Sequence, residues 1–459
     1  MAADSPNSEN IFQRIAIAQQ QLDAGYSHLP PHAPPALGED AAAILQQAAE
    51  RLHDNYPYAH PLYAGQMLKP PHPIARAAYA LTMSVNPNNH ALDGGRARSA
   101  MELEAVAELA KKFGFPHNLG HLSSSGTFAN LEALWVSGQR LPGRGIAASD
   151  QAHYTHTRIS SVLGLPFTEI LSDSAGRMDM TALEQALQTR DIGTVVATLG
   201  TTAVGAVDPL DQILELQKKY NFRIHVDSAY GGYFTLATNL APAARVAYDC
   251  IPQADSIVVD PHKHGLQPYG CGAVLFRDPS VGQLYKHDSP FTYFSSQELH
   301  LGEISLECSR AGASAVALWA TQKLLPYTAG GQFAQDLSAS RQAALELNLR
   351  LAAEPSFIVP NVPPALDIVF WTAAAARPAE SSALAQAIFD AAAQRDLHLA
   401  LATLPTRYFP PSTWESAPEP DPGTVLCLRS VLMKPEHLPW LDSIWSRLME
   451  ATSSIQATL

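Results

Sequence analysis

The chain has 459 residues, of which 46% are hydrophobic and 16% charged, a balance typical of a globular protein whose core is large enough for two or three domains. Its formal net charge of −13 argues against nucleic acid or an anionic membrane surface as a main partner. The start lacks the pattern of a signal peptide, no apolar run is long enough to span a membrane, and the four cysteines lack metal-site spacing, so we expect a cytoplasmic protein without a bound metal.

The N-terminal part of the chain is predicted to be helical. Residues 1–60 contain two helical patterns separated by the proline-rich stretch from Pro30 to Pro35. A further amphipathic helix is predicted from Arg98 to Phe113, with apolar residues recurring on one face. Beyond it, apolar runs alternate with helical patterns, which is typical of a largely parallel sheet with crossover helices.

A turn rich in serine and glycine, Ser123 to Thr127, leads into one of these helical patterns. The free backbone N–H groups at a helix start, together with hydroxyl groups, suit a dianionic phosphate. A helix cap with nothing bound is the alternative, and the segment taken alone favours that alternative.

Two further runs end in polar residues. Ile146 to Ala148 reads as a brief strand, followed by His153, whose ring can stack on an aromatic ligand or serve only as a polar loop residue. Thr194 to Thr198 reads as a strand followed by hydroxyl groups at Thr201 and Thr202. These hydroxyls can line the same crevice as His153.

The most informative residues are an aspartate and a lysine at the ends of two buried strands. The apolar strand from Phe222 ends at Asp227, and a buried carboxylate needs a partner. The run from Ser256 to Val259 leads to Lys263, whose amine can form an imine once burial disfavours its charged form. The carboxyl ends of parallel strands share one crevice. An imine-forming lysine and an aspartate for the pyridine nitrogen are the two protein groups that pyridoxal 5′-phosphate (PLP) requires.

The C-terminal part is predicted to form a smaller domain. Strands at Leu366–Trp371 and Val425–Leu432 flank a helix at Ser381–Gln394. Arg429 is a candidate for binding a substrate carboxylate, although a structural role is the favoured alternative.

Four of these motifs, in this order, resemble the PLP-dependent amino-acid decarboxylases of group II, the aromatic-amino-acid, tyrosine and glutamate decarboxylases. They are residues 149–153, 197–202, 225–230 and 260–263. The resemblance implies an α/β protein of the aspartate-aminotransferase-like fold (fold type I), with a large, mostly parallel sheet and a smaller C-terminal α+β domain. It also implies a homodimer. The expected units are an N-terminal segment 1–60 that packs on the dimer partner, a PLP-binding domain 61–330 and a small domain 331–459.

The resemblance also implies roles for individual residues. Lys263 holds PLP as an internal aldimine, Asp227 keeps the pyridinium nitrogen protonated, and His153 stacks on the ring. A tyrosine in a mobile loop reprotonates the quinonoid carbon, with Tyr293 the first candidate and Tyr285 the reserve. The other implied cofactor contacts are Ser125, Gly126 and Thr127 at the phosphate, His262 nearby, Ala229 beneath the ring and Thr201 at its edge.

The chain departs from the aromatic decarboxylases at His264, where they usually carry a tryptophan. In this it is more similar to microbial tyrosine/aspartate decarboxylases and to sphingosine-phosphate lyases. The expected activity is decarboxylation of an L-amino acid to its amine. The alternatives are C–C lyase activity, oxygen-dependent decarboxylative deamination to an aldehyde, and a non-catalytic PLP-binding protein. Aromatic substrates are slightly favoured over acidic ones, and the loop tyrosine and His156 are the positions on which the reaction outcome depends.

Overall fold

The apolar, β-branched runs predicted as strands form the centre of the protein. The structure is a computed structural model that describes residues 10–33, 36–89, 94–286, 305–414 and 423–457. Within these residues, the chain forms a large sheet with apolar clusters on both faces and a smaller sheet with its own apolar cluster.

The large sheet is mostly parallel, as predicted. Its strands are β1 Leu119–Ser123, β2 Gly145–Ser149, β3 Phe167–Ile170, β4 Ile192–Thr198, β5 Arg223–Asp227, β6 Ser256–Val259 and β7 Gly272–Phe276. In the described part of the chain their spatial order is β1-β7-β6-β5-β4-β2-β3. Among these seven described strands, β7 alone runs in the direction opposite to the others. The crossover connections therefore deliver the carboxyl ends of β4, β5 and β6 to one edge of the sheet.

Helices cover both faces of this sheet, which explains why its strands are continuously apolar. In β6, Ile257 and Val259 join the cluster on one face, while Val258 joins the cluster on the other. The helices are α1 Ile11–Ala24, α2 Ala41–Leu52, α3 Pro73–Met83, α4 Arg96–Phe113, α5 Gly126–Arg140, α6 Thr155–Leu163, α7 Met180–Thr189, α8 Leu210–Lys219, α9 Pro242–Asp249, α10 Ala313–Leu324, α11 Gln332–Ala353, α12 Pro378–Ala393 and α13 Leu441–Gln456. Among the helices described, none combines the length and apolar character needed to cross a membrane.

The smaller sheet lies in the C-terminal part of the chain. Its strands are β8 Phe357–Ile358, β9 Ile368–Ala373, β10 Ala400–Pro405 and β11 Thr424–Val431, in the antiparallel order β10-β11-β9-β8. Helices α11, α12 and α13 contribute apolar residues to its core. The two strands and the helix predicted here correspond to β9, β11 and α12, with ends shifted by one to three residues.

An early segment of the chain also belongs to this smaller core. Leu62 and Ala64 are buried in its apolar cluster. The N–H of Ala64 donates to the carbonyl of His398, and the N–H of Val431 donates to the carbonyl of Ala64. Residue 61 was the expected start of the large domain, and the residues just after it pack against the small domain.

Candidate active site

The carboxyl ends of β4, β5 and β6 border a cavity of about 180 Å³. The last residue of β4, Thr198, and the last residue of β5, Asp227, both line this cavity, and Lys263 reaches it from the turn after β6. The predicted site residues that line it are Ser125, Gly126, Thr127, His153, Asp227, Ala229, His262 and Lys263.

A tight turn after β6 carries Lys263. The turn needs glycine at position 265, since a Cβ there would lie 2.5 Å from the Cα of Pro261. The Nζ atom of Lys263 lies 3.0 Å from Oδ2 of Asp260, and the lysine side chain is 22% exposed. Asp260 thus provides a negative charge beside the amine while leaving the amine accessible from the cavity.

Asp227 is fixed at the end of β5 by three donors. The Nε2–H of His156 donates to Oδ2 at 2.8 Å, the Nδ2–H of Asn130 donates to the same oxygen at 3.3 Å, and the N–H of Ala229 donates to Oδ1 at 3.1 Å. Burial alone raises the pKa of Asp227, but the hydrogen bond from His156 and the other donors outweigh burial and hold this pKa well below its usual range. The carboxylate therefore stays ionised at neutral pH although it is buried.

A second layer of hydrogen bonds orients Asn130. Nε2 of His225 lies 2.7 Å from the amide oxygen of Asn130, and Nδ1 of His225 lies 2.9 Å from the hydroxyl of Ser256. Burial lowers the pKa of His225 to about 3, so its ring is neutral. A neutral ring that donates from Nε2 and accepts at Nδ1 leaves the Asn130 amide N–H free to face Asp227.

The Ser-Gly turn forms the opposite wall of the cavity, at the N-terminus of α5. The Ser125 side chain caps this helix by accepting from the N–H of Phe128 at 3.3 Å. Gly126 packs directly on Asp260, because a Cβ there would lie 2.6 and 2.7 Å from the two carboxylate oxygens. The turn therefore presents its hydroxyl groups and the helix N-terminus to the cavity.

Replacing Gly126 by alanine is expected to destabilise the protein, whereas glycine-to-alanine changes inside helices usually stabilise it. The added methyl group meets the Asp260 carboxylate, and moving that carboxylate also disturbs its contact with Lys263. We expect a loss of about 1–3 kcal/mol in the free energy of unfolding and weaker PLP binding. Denaturant unfolding and a PLP titration followed by absorbance measure the two effects.

Gly38→Ala is the matched control, because a Cβ at Gly38 meets nothing within 4 Å. An alanine at position 126 that left both stability and PLP affinity at the wild-type level would contradict the packing of Gly126 on Asp260.

The remaining predicted residues fall into two groups. His153 lines the cavity, where its Nδ1 lies 2.9 Å from the Thr155 hydroxyl and burial lowers the pKa of its ring. Thr201 does not line it, since its hydroxyl accepts from the N–H of Ala206 and its side chain is wholly buried. The neighbouring Thr202 lines the cavity in its place.

Only one of the two candidate loop tyrosines lies within the described residues. Tyr293 lies outside the described residues. Tyr285 does not line the cavity: its hydroxyl donates to Glu132 at 3.2 Å, its ring packs edge-on against Trp135, and only 3% of it is exposed. The reserve assignment to Tyr285 is therefore not supported, because its hydroxyl is bonded to Glu132 and the residue is not among those that line the cavity.

The surroundings of Arg429 fit a structural role, which was the favoured alternative to binding a substrate carboxylate. It is 4% exposed, and its guanidinium donates to the carbonyl oxygens of Thr202 and Ala203 at 2.5 and 2.8 Å. A third contact reaches the side-chain oxygen of Gln66 at 3.3 Å. Arg429 thus fixes the loop through which Thr202 reaches the cavity.

Sequence reasoning missed three residues at this site. Asn130 and Asp260 were not singled out, and His156 was named only as a position affecting the outcome. The available signal for Asn130 was a polar residue four positions after Gly126, on the same buried helix face. His156 lies in the first turn of α6, only three positions after His153, which precedes the helix.

The chemistry of the cavity fits PLP. A helix N-terminus with adjacent hydroxyl groups suits the phosphate, the ionised Asp227 suits a protonated pyridine nitrogen, and Lys263 supplies the amine. Several buried polar atoms of cavity residues have no hydrogen-bond partner among the described residues: Oγ1 of Thr198, Oδ1 of Asp260 and Nδ1 of His262. Buried groups of this kind normally find partners, which a polar ligand provides.

Solved structures share this fold over almost the whole chain. The structure of mouse CSAD in its apo form matches with a TM-score of 0.76 and 20% identity, covering 98% of this chain and 93% of that one. The structure of Oryza sativa TDC with PLP and tryptamine matches with a TM-score of 0.78 and 16% identity, covering 99% and 100%. The prediction of fold type I is thereby confirmed.

Sequence comparisons agree. The L-tyrosine decarboxylase of Enterococcus faecium is 27% identical over 402 residues, covering 66% of each chain. A probable L-tyrosine/L-aspartate decarboxylase of Methanothermobacter thermautotrophicus is 29% identical over 302 residues, covering 63% of this chain and 80% of its own. The family model described as the pyridoxal-dependent decarboxylase conserved domain matches residues 139–373, slightly more than half of the chain. With the cavity at Lys263 and Asp227, these matches confirm the predicted family and its PLP cofactor: the chain belongs to the pyridoxal-dependent decarboxylases.

Proposed function

We propose that the protein catalyses the PLP-dependent decarboxylation of an L-amino acid to the corresponding amine. The observation that carries this proposal is the single cavity in which the Lys263 amine, the ionised Asp227 and the N-terminus of α5 meet. The C–C lyase and oxidative alternatives are not favoured by the sequence comparisons, in which the family model and the relatives described above are named as decarboxylases.

The protein side chains divide the work of binding and proton transfer. Ser125, Gly126 and Thr127 would hold the phosphate, with His262 at the same wall, and Ala229 and His153 would flank the ring. Asp227 would keep a proton on the pyridine nitrogen, because its negative charge is maintained at neutral pH. When bound, PLP supplies an electron sink for the bond that breaks at the substrate α carbon. Lys263 holds or moves a proton at Nζ, and Asp260 at 3.0 Å keeps that amine oriented.

His156 is proposed as the residue that keeps Asp227 ionised. Replacing His156 by leucine removes its hydrogen bond and leaves burial to raise the pKa of Asp227. With a higher pKa, Asp227 ionises only at higher pH. The acid limb of the pH profile of kcat should therefore move up by about one to two pH units. The pH dependence of amine formation measures this shift.

His156→Gln is the matched variant, since its amide can still donate a hydrogen bond to Asp227. We expect it to restore most of the wild-type pH profile. If the acid limb of His156→Leu stayed at the wild-type pH, His156 would not be the residue that keeps Asp227 ionised.

We propose an aromatic substrate, with acidic amino acids as the competing class. An aromatic side chain lies beside the cavity: the Tyr269 ring is 4.8 Å from the ring of His262 and is 58% exposed. Relatives named for tyrosine, for tyrosine or aspartate, and for cysteine sulfinic acid support both classes.

The test is product analysis by mass spectrometry. PLP-loaded protein is incubated in air with a panel of aromatic, acidic and basic L-amino acids. An amine lighter than its parent by carbon dioxide supports the proposal and names the substrate class. An aldehyde with hydrogen peroxide, a C–C cleavage product, or no product from any amino acid would contradict it.

We also propose a cytoplasmic homodimer with domains at 1–60, 61–330 and 331–459. Helices α1 and α2 bury none of their residues against the described chain, and large apolar side chains on them, including Ile44 and Leu45, are more than 60% exposed. Such faces are typical of subunit contacts. The four cysteines are all unpaired, which suits a reducing compartment.

Replacing Leu45 by aspartate is expected to shift the protein from dimer to monomer, because it places a charge in this apolar face. Sedimentation analysis of the full chain measures the change. Gln47→Asp, at an exposed polar position of the same helix, should stay dimeric. A wild-type protein that sediments as a monomer would overturn the proposed dimer.

A further inference from the structure

A second cavity, of about 190 Å³, lies behind the turn that carries Lys263. It shares no lining residue with the cavity at Lys263. Four separate parts of the chain enclose it: the residues before α3, the turn after Lys263, helix α11 and the segment after β11. Its charged and imidazole side chains are Lys69, His72, His264, Asp336, Lys434 and Glu436.

Two lysines on its wall are held by backbone carbonyl groups. The ammonium of Lys69 donates to the carbonyl of Met433 at 3.1 Å, and that of Lys434 donates to the carbonyl of Tyr63 at 2.6 Å. Among the described residues, no carboxylate oxygen lies within 4.0 Å of either ammonium. Burial lowers the pKa of both lysines to about 8, so each is mostly, but not fully, charged at pH 7. Two such charges in one cavity are costly unless a counter-ion joins them.

The two acidic residues on the wall and Asp367 offset part of this charge from a distance, but within the described residues none of them forms an ion pair with either ammonium. Asp336, on α11, accepts a hydrogen bond from Gln332 of its own helix at 2.8 Å. Glu436 is exposed, so water solvates its charge.

His264 adds a third polar group to the same wall. It is 1% exposed, and its Nδ1 has no hydrogen-bond partner among the described residues. Its Nε2 lies 3.2 Å from Oδ2 of Asp367, off the direction of a good hydrogen bond. Because this ring is neutral and its Nε2 faces a carboxylate, its Nδ1 presents a lone pair and does not itself bind an anion. The two ammonium groups, which form no ion pair within the described residues, suit a ligand that carries negative oxygen atoms.

From these contacts we infer that the second cavity is a binding site for a small oxyanion, a phosphate, a sulfate or a carboxylate, held by Lys69 and Lys434 beside His264. The site is distinct from the phosphate site of the cofactor. The side chains of His264, Asp367 and Tyr230 lie between the two cavities, and the Tyr230 hydroxyl donates to Asp367 at 2.5 Å. Loading the protein with PLP therefore fills one phosphate site and leaves the other open.

The test is titration of the PLP-loaded full chain with inorganic phosphate, followed by calorimetry at constant ionic strength. We expect saturable binding at pH 7 that is weakened at least about tenfold in Lys69→Met, because a charged hydrogen bond is lost. Lys323→Met is the matched control, since Lys323 is exposed and pairs with Glu104. Parallel titrations with sulfate and acetate separate the doubly charged oxyanions from carboxylates.

Raising the pH to 9.5 should abolish the binding. The pKa values of His72 and His264 are lowered by burial, so both rings are neutral throughout, while Asp336 and Glu436 are carboxylates. Among these groups only the two lysines lose their charge between pH 7 and pH 9.5. Sulfate is the probe for this comparison, because its charge, unlike that of phosphate, does not change over this pH range. Binding with the same constant at both pH values would overturn the proposal.

Asp336→Asn gives a second, independent test that does not depend on the folding of a lysine variant. Removing a negative charge from the wall should tighten phosphate binding by about threefold or more. A lysine pair that served only to hold the carbonyl groups would give no such effect. No saturable binding to the wild-type protein at pH 7, or an unchanged or weaker constant in Asp336→Asn, would overturn the proposal.

Discussion

Replacing Lys263 by alanine is expected to abolish amine formation, lowering kcat by at least about 10³-fold, within the range for a positioned acid–base group. The side chain contributes its amine to the cavity and meets Asp260 there, and it is partly exposed, so its removal deletes little of the core. The loss should therefore appear in turnover and not in folding. Amine formation at saturating substrate, measured together with thermal unfolding, separates the two.

Lys323→Ala is the control for loss of a lysine, because Lys323 lies on α10 and pairs with Glu104 on the surface. Its turnover should match that of the wild-type protein. A Lys263→Ala protein whose turnover stayed within tenfold of that of the wild type would contradict a role for Lys263 in the reaction.

Replacing Asp227 by asparagine should lower kcat by about 10² to 10³-fold, the usual effect of losing one preorganised electrostatic group. The change keeps the size of the side chain and removes its charge. His156 and Asn130 would then face a neutral amide, and nothing would hold a proton on the pyridine nitrogen. Steady-state kinetics with the substrate identified by the product panel measures the loss.

Two further variants separate charge from burial. Asp227→Glu keeps the charge but must fit an extra methylene, so it should retain more activity than Asp227→Asn. Asp208→Asn changes another wholly buried aspartate, one that accepts from the N–H groups of Met178 and Thr198 and does not line the cavity. It should lose stability but keep its turnover per folded molecule. Equal losses of turnover in Asp208→Asn and Asp227→Asn would contradict a specific electrostatic role for Asp227.

The strand ends were the part of the site that the sequence made predictable. Asp227 and Lys263 each follow a run of buried apolar residues, and parallel strands deliver such ends to one edge of a sheet. The helix start at Ser125 was predictable for a similar reason, because capping depends on residues a few positions apart.

The contacts that tune the site were not predictable, because they join residues distant in the chain. His156 and Asn130 reach Asp227 from two different helices, across 71 and 97 positions. The choice between Thr201 and Thr202 was not predictable either. A motif gives the positions of the two adjacent threonines but does not tell which side chain faces the cavity. Only the local hydrogen bond of Thr201 to Ala206 settles that.

The boundary between the domains was also beyond reach of local patterns. Leu62 and Ala64 fall inside the expected large domain 61–330, yet they pack in the core of the small one and pair with His398 and Val431. Non-local pairing of this kind leaves no periodic signal over so short a segment.

Reduction of the PLP-loaded protein with borohydride, followed by peptide mapping, tests the central claim most directly. We predict a pyridoxyl group on the peptide that contains Lys263. Lys69 is a competing amine, because burial lowers its pKa to about 8 and so leaves part of it unprotonated near neutral pH. A pyridoxyl group on Lys69, or on no lysine at all, would contradict the assignment of the cavity at Lys263 and Asp227 as the active site.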